Sequence, residues 1–330
     1  RAASARLSGE APALGAGARL PARAGERGHS VEEPAEMLSS TASDATPRVL
    51  LRGAPSPRPE RFGGLVNPRA LAEGFCTPAG LHRRPWLGRL RRALAQDLFV
   101  LHFQPIVSLQ DGRVAQYEAL VRLCDEGDGR LIAPGSFLPA AERSGLIRAI
   151  DRMVFDKVAA MLGGEQGERG VRIAVNVSAV SVTDGTMLSY IERGLALYDV
   201  DPALLSVEVT ETAAISDMDS ARDFCAGVLA LGCAVSLDDF GAGFGSFQYL
   251  KHLPFSQLKI DGDFIRGLAM SRTDQLVVKA LAGVVRGMGR ETVAEFVGDE
   301  PTMSMLRSYG VDYAQGFAIG RPEPSIPVAV

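Results

Sequence analysis

Cysteine is sparse and scattered in this chain. The four residues, Cys76, Cys124, Cys225 and Cys233, lie far apart with no CxxC spacing. Neither a zinc site nor a disulfide framework is indicated, and a reducing cytoplasm is the compartment that fits. Long apolar runs are also missing: no stretch approaches the 18 or more residues of a membrane span. No signal-peptide pattern is visible, and the chain opens on Arg1 instead of Met, which reads as a fragment or processed form. Strong charge of one sign is absent too. A net charge of −4 gives no electrostatic case for gripping a nucleic-acid duplex. Lysine is scarce, with only Lys157, Lys251, Lys259 and Lys279. In a chain that otherwise uses arginine, a lysine at a strand end suggests a role arginine would not fill.

What is present is a globular composition, 46% hydrophobic over 330 residues. Residues 1–85 differ from the rest: rich in Ala, Arg, Gly, Pro and Ser, poor in aromatics, without periodicity. Such a segment buries too little apolar surface to order itself, and it reads as a disordered tail or linker. From Trp86 a helical pattern starts, and residues 86–330 form the folded unit. Strand-like runs follow at 99–109, 114–123, 171–178, 204–212, 233–240, 257–261, 292–297 and 313–320, mostly separated by amphipathic helices. The first two are joined by Gln110-Asp111-Gly112, which is hairpin chemistry, so the chain starts antiparallel. Eight strands with crossover helices after the second fit an α/β fold, a TIM-like (β/α)8 barrel with an antiparallel first strand. An open doubly wound sheet is the alternative, weakened because no Gly-rich dinucleotide fingerprint follows an early strand.

The segment from Gly232 to Asp261 organises the rest. A short apolar strand ends on two adjacent carboxylates, Asp238 and Asp239, followed by a turn rich in glycine and a second strand ending in Lys259-Ile260-Asp261. Adjacent strand residues face opposite sides, so simple burial cannot satisfy both acids. Polar residues recur at the same end of the other strands: Glu118, Asn176, Glu208, Glu295 and Gln315. In a barrel those ends converge on one mouth, where active sites sit. Any one of these residues has a plain structural explanation: an outward strand position, a helix cap or a solvated edge. Their recurrence does not. Clustered carboxylates raise one another's pKa unless cations neutralise them. An all-oxygen set without histidine suits one or two Mg²⁺ or Mn²⁺ ions, about 3.5–4 Å apart when paired, and argues against zinc. Glu208 and Glu295 alone would suit a glycosidase acid and nucleophile. That leaves the other polar residues without jobs, and the cleft is expected to lack aromatic platforms.

These residues resemble a known family. Glu118-Ala119-Leu120 followed by Arg122 is similar to the signature of EAL-domain cyclic di-GMP phosphodiesterases. FQPIVSL (103–109), PGSFLPAAERSGLI (134–147), VNVS (175–178), VEVTET (207–212), DDFGAGFGS (238–246), LKID (258–261) and DYAQGFAIGRP (312–322) extend the resemblance over residues 88–323. It implies a TIM-like barrel with an antiparallel first strand and hydrolysis of cyclic di-GMP to linear pGpG with two metal ions. It implies that Glu118, Asn176, Glu208 and Asp238 bind one metal, Asp238 being shared, and that Asp239 and Glu295 serve the other, with Gln315 supporting the site. Lys259 would orient or deprotonate the attacking water, with Glu118 and Glu295 also in the catalytic set. Gln104, Leu120, Arg122, Asp239 and Pro322 would contact substrate. Glu211 would anchor the loop after the Asp pair, which in this family often lies at a homodimer contact. An upstream sensor or cyclase domain would fit the same pattern, although no cyclase signature precedes the barrel.

The chain departs from the family pattern at two places. The loop reads DDFGAGFGSF where DDFGTGYSSL is usual, so Ala242, Phe244 and Gly245 lack the usual hydroxyls. The motif commonly written AEGVET reads AEFVGD, with Phe296 for a glycine and Gly298 for a glutamate. No implied metal ligand is lost. The altered motifs keep open a second function, a catalytically silent cyclic di-GMP receptor.

Overall fold

The computed structural model describes residues 85–241 and 247–327. The segment read as a disordered tail lies outside the described residues, as do Cys76 and the loop positions Ala242, Phe244 and Gly245. Nine strands form one sheet: β1 (Phe99–Ser108), β2 (Val114–Cys124), β3 (Leu131–Ile132), β4 (Ile173–Val177), β5 (Leu205–Thr210), β6 (Ala234–Phe240), β7 (Gln257–Ile260), β8 (Glu291–Ala294) and β9 (Tyr313–Gln315). Their order is β1-β9-β8-β7-β6-β5-β4-β2-β3, and β1 also pairs with β2. That last pairing closes eight strands into a barrel and leaves β3 as a short extension on the end of β2. β1 runs antiparallel to both its neighbours, and every other barrel pair is parallel. The expected TIM-like barrel with one reversed strand is what the chain forms.

The reversal comes from the turn predicted at 110–112. The Gly112 amide donates to the Ser108 carbonyl at 2.9 Å, and Gly112 has φ +74°, a conformation that costs a residue with Cβ but not glycine. The wall follows from strand alternation. Val175, Val177, Val207, Val209, Val235 and Leu237 are buried among the surrounding helices, while the residues between them face inward. Each such burial contributes about 1.5–3 kcal/mol. Below the mouth the interior is small and polar. Gln116 donates to Gln257 across the barrel at 3.0 Å, and the buried hydroxyls of Ser206 and Ser236 lack a partner among the described residues.

Several expected strands stop early because their last residue starts a helix. Ser178 Oγ accepts from the Ser181 amide, Thr210 Oγ1 from that of Ala213, and Asp261 Oδ1 from that of Asp263. Each satisfies a helix-start amide that otherwise has no partner. Glu211 therefore opens a helix and does not lie on β5. β8 ends at Ala294, short of 297, because Phe296 takes φ +53° and turns the chain. β9 ends at Gln315, short of 320, because the chain folds back on that turn. The Val297 amide donates to the Gln315 carbonyl at 2.9 Å, and the Ala318 amide to the Val297 carbonyl at 3.2 Å.

Gly316 makes this approach possible. A Cβ there would lie 2.2 Å from the Val297 oxygen and 2.3 Å from its nitrogen, inside any real contact distance. Backbone cannot move aside as a flexible side chain does, so Gly316→Ala is expected to cost at least the roughly 1–3 kcal/mol typical of overpacking. Urea unfolding measures this directly. An unchanged midpoint would show that the two turns do not depend on their close approach.

Candidate active site

Three strands and one strand end deliver acids to a single ammonium. Lys259, on β7, is 1% exposed. Its Nζ lies 2.9 Å from Glu208 Oε2, 2.9 Å from Asp238 Oδ1, 2.8 Å from Glu295 Oε1 and 3.5 Å from Glu118 Oε2. Around this centre the amides form a second tier. Asn176 donates to Glu118 Oε1 at 2.8 Å, and Gln315 donates to Glu118 Oε2 at 2.7 Å and to Gln104 Oε1 at 3.2 Å. Gln104 in turn donates to the Gly320 carbonyl at 3.0 Å. Residues from 104 to 320 in the sequence thus meet in one connected set.

Electrostatics follow from the count. Burial alone would strip the Lys259 proton, but four surrounding carboxylates overrule it and hold the pKa well above the lysine range. The acids respond in the opposite sense. Burial first, then Glu118 and Asp238, lifts Glu208 well above the carboxylate range against the pull of Lys259. Burial lifts Glu295 to about 8, with Asp238 and Glu118 adding to it against the same lysine. Asp239, half-buried at φ +56°, rises to about 6 through burial and its neighbour Asp238. One ammonium cannot neutralise four acids.

The acids leave room for additional cations. Asp238, Asp239 and Glu295 each offer a ligand oxygen, all within 4.8 Å of one another. Glu208 Oε1 and Gln315 Oε1 are buried without a partner among the described residues, so each points an acceptor at nothing. Unpaired acceptors and crowded carboxylates are what a hard divalent cation satisfies. The residues present fit such an ion.

The set lies at the base of a cleft of about 330 Å³, lined by Gln104, Glu118, Leu120, Asp238, Asp239, Lys259, Glu295 and Gln315. Other expected residues sit farther out. Arg122 follows Glu118 and Leu120 along the same face of β2 but does not line the cleft, and it donates to the Val121 carbonyl at 2.9 Å. Pro322 lies beside β1, its carbonyl 3.3 Å from His102 Nδ1. Glu211 accepts from the Gly241 amide at 2.9 Å, which ties it to the first residue after β6.

The EAL domain family model matches residues 87–322, well over half of the chain. The chain belongs to the EAL-domain family. Over 241 residues it is 37% identical to the cyclic di-GMP phosphodiesterase PdeB of Shewanella oneidensis, covering 72% of this chain and 28% of that protein. Cyclic di-GMP phosphodiesterase PdeF of Escherichia coli is 34% identical over 241 residues, 73% of this chain and 32% of that one. The chain spans about a third of the length of the curated relatives it matches. Among solved structures, the PaMucR phosphodiesterase in complex with c-di-GMP superposes with TM-score 0.68 at 37% identity, covering 73% of this chain and 98% of that one. The EAL domain of Xanthomonas citri FimX, also in complex with c-di-GMP, gives TM-score 0.68 at 33% identity, with 74% and 96% covered. No helix among the described residues of this EAL domain is long and apolar enough to cross a membrane.

The EAL cleft corrects one expectation. It does not lack aromatic platforms, because Phe296 and Phe317 line it, 53% and 63% exposed. Both lie just past strand ends, where single phenylalanines carry no periodic signal. Asp151 was equally silent in the sequence, as one acid on an otherwise ordinary amphipathic helix. It is buried and its Oδ2 accepts from the Ser178 amide at 3.1 Å and from the hydroxyls of Ser178 and Ser181 at 2.6 and 2.7 Å. Asp151 thereby fixes the loop that follows Asn176.

Metal-free EAL protein should lose stability as pH rises from about 5 to about 8. Glu208, Asp239 and Glu295 keep protons in the folded state that the unfolded chain gives up near the ordinary carboxylate pKa. Lys259, raised above the lysine range, gains or loses nothing in that window. Melting temperature against pH in chelator is expected to fall across it. Added Mg²⁺ or Mn²⁺ is expected to raise the melting temperature, more at pH 8 than at pH 6. A metal effect independent of pH would mean that the acids are already ionised.

Proposed function

We propose that this EAL domain hydrolyses one phosphodiester bond of cyclic di-GMP to give linear pGpG, with two divalent ions, Mg²⁺ or Mn²⁺. The observation that carries the reading is the convergence of Glu118, Glu208, Asp238 and Glu295 on buried Lys259 at the base of the cleft. Relatives named as cyclic di-GMP phosphodiesterases support it. Glu118, Asn176, Glu208 and Asp238 would hold one ion. Asp238, Asp239 and Glu295 would hold the other, with Gln315 in support. When bound, the ions supply Lewis-acid polarisation of the phosphoryl group and an activated water.

The remaining roles belong to the chain. Lys259, fixed by its neighbours, donates hydrogen bonds to water placed for attack. Once its carboxylate partners are engaged elsewhere, burial dominates and favours the neutral amine, which can take a proton. Gln104 is held by Gln315 and Gly320, so its position is coupled to the acid set. Leu120 offers an apolar wall beside it. Arg122, whose guanidinium donates to the Val121 carbonyl and is attracted by Glu118, would swing to a phosphate oxygen pair. Pro322 would contact substrate from beside β1, and Glu211 holds the start of the loop after the Asp pair. A homodimer through the barrel and an upstream sensor or cyclase domain belong to the same reading, the latter supported by the small share of its relatives that the chain spans.

Incubation with cyclic di-GMP and Mg²⁺ or Mn²⁺, with product separation by chromatography, is expected to give pGpG that chelator abolishes. Asp238→Asn should lower kcat/KM more than about a hundredfold, beyond the 10–100-fold typical of outer-shell metal partners. Lys259→Ala should lower kcat more than it raises KM. Tight cyclic di-GMP binding without product would instead make the domain a receptor, with the altered AEFVGD motif as the reason. Full activity in Asp238→Asn would overturn the site.

A further inference from the structure

The AEFVGD turn gives this cleft a feature that metal binding does not explain. Phe296 follows Glu295 directly, sits at φ +53° and lines the cleft. A bulky residue in the left-handed region is a genuine outlier, retained only where its surroundings over-determine it. Here the surroundings do. A Cβ on Gly262 would lie 2.2 Å from Phe296 Cδ2, so the ring lies directly on the glycine that follows Asp261. On the ring rests the Arg266 guanidinium, 4.1 Å from its centroid, itself tethered by Asp263 Oδ1 at 2.6 Å. An apolar ring so anchored would normally be covered. Phe296 is instead 53% exposed. With Arg266 over it and Gly262 beneath its edge, the open part of the ring lines the cleft beside Leu120, Val297 and Phe317.

We propose that the Phe296 ring, backed by Arg266, is a stacking platform for one purine base of the dinucleotide, and that it sets substrate affinity and specificity without taking part in the chemistry. The inference rests on the cyclic di-GMP reading. Base–aromatic stacking is indifferent to sequence but scales with ring area, so a purine gains more than a pyrimidine. Cation–π contact with Arg266 restrains the ring before substrate arrives, which lowers the entropy lost on binding. Phe296 contacts neither Lys259 nor the phosphoryl-binding acids through a hydrogen bond, so its work lies in binding. It is a specificity-determining residue.

The test compares wild type, Phe296→Leu, Phe296→Trp and Arg266→Gln by steady-state hydrolysis of cyclic di-GMP, with pGpG as competing inhibitor. Phe296→Leu keeps an apolar side chain but loses the π face. Its KM and the pGpG inhibition constant are expected to rise together about tenfold, within the 5–150-fold that one stacked base is worth, with kcat changed less than twofold. Phe296→Trp should hold or lower KM, and Arg266→Gln should raise it two- to threefold. A Mn²⁺ titration of melting temperature should give the same metal response in Phe296→Leu as in wild type, which shows Glu295 undisturbed. Unchanged KM in Phe296→Leu, or a loss confined to kcat, overturns the platform while leaving the phosphodiesterase reading intact. Wild type that neither binds nor hydrolyses cyclic di-GMP removes both.

Discussion

One buried ammonium among four carboxylates constrains the rest of this barrel. Lys259 Nζ reaches acids from β2, β5 and β6 and from the residue just after β8, so a single side chain links most of the mouth. Removing one partner from such a buried set is strongly destabilising, because it strands charge in a poorly solvating interior. The arrangement is nonetheless incomplete. Four ionised acids and one ammonium would leave three negative charges in a largely buried volume, and the structure answers by lifting Glu208 and Glu295 toward their neutral forms. The interior is therefore held in tension between protonation and the uptake of cations. That tension is what a divalent cation would relieve. A barrel packed with aliphatic residues at this level would have no comparable reason to bind one.

The charged centre was legible in the sequence because its residues share one simple property: each is a polar residue in or just past an otherwise apolar strand. Alternation then places those on strands inside, so Glu208, Asp238 and Lys259 could be assigned together though 51 positions separate the first from the last. The hairpin at Gly112 was legible for a similar reason, since local turn chemistry decides it. Strand ends were less so. Ser178, Thr210 and Asp261 read equally well as last strand residues or as caps, and only the following helix decides. Phe296 stood out only as a departure from the family motif, and Phe317 and Asp151 were invisible. Their roles come from tertiary approach: a ring laid on Gly262, a cleft wall, a helix acid reaching a distant loop. No periodicity announces such contacts.

Glycine at the turns carries a structural argument of the same kind. Gly316 and Gly262 are not exchangeable with alanine, because one admits the Val297 backbone and the other the Phe296 ring. Both contacts converge on the turn after β8. Glu295 begins that turn, so the position of a candidate metal ligand depends on two glycines just past β9 and β7 and on a strained phenylalanine between them. Asp151 does for the β4 loop what these do for β8: it uses a partner outside the strand to fix a residue at the strand's end.

A division of labour follows. Apart from Glu295, the charged residues lie on the strands themselves, and their hydrogen-bonded backbone holds them in fixed register. Phe296 and Phe317, two positions beyond β8 and β9, shape the cleft, and their backbone is free of the ladder. Substitution on a strand therefore disturbs a buried electrostatic balance and is punished in both folding and chemistry. Substitution beyond the strand, as at Phe296, changes the wall of the cleft while Glu295 stays in place next to it. A mouth built this way can alter its wall without altering its charged centre, which is why the AEFVGD turn can depart from its family's pattern while the acid set stays whole.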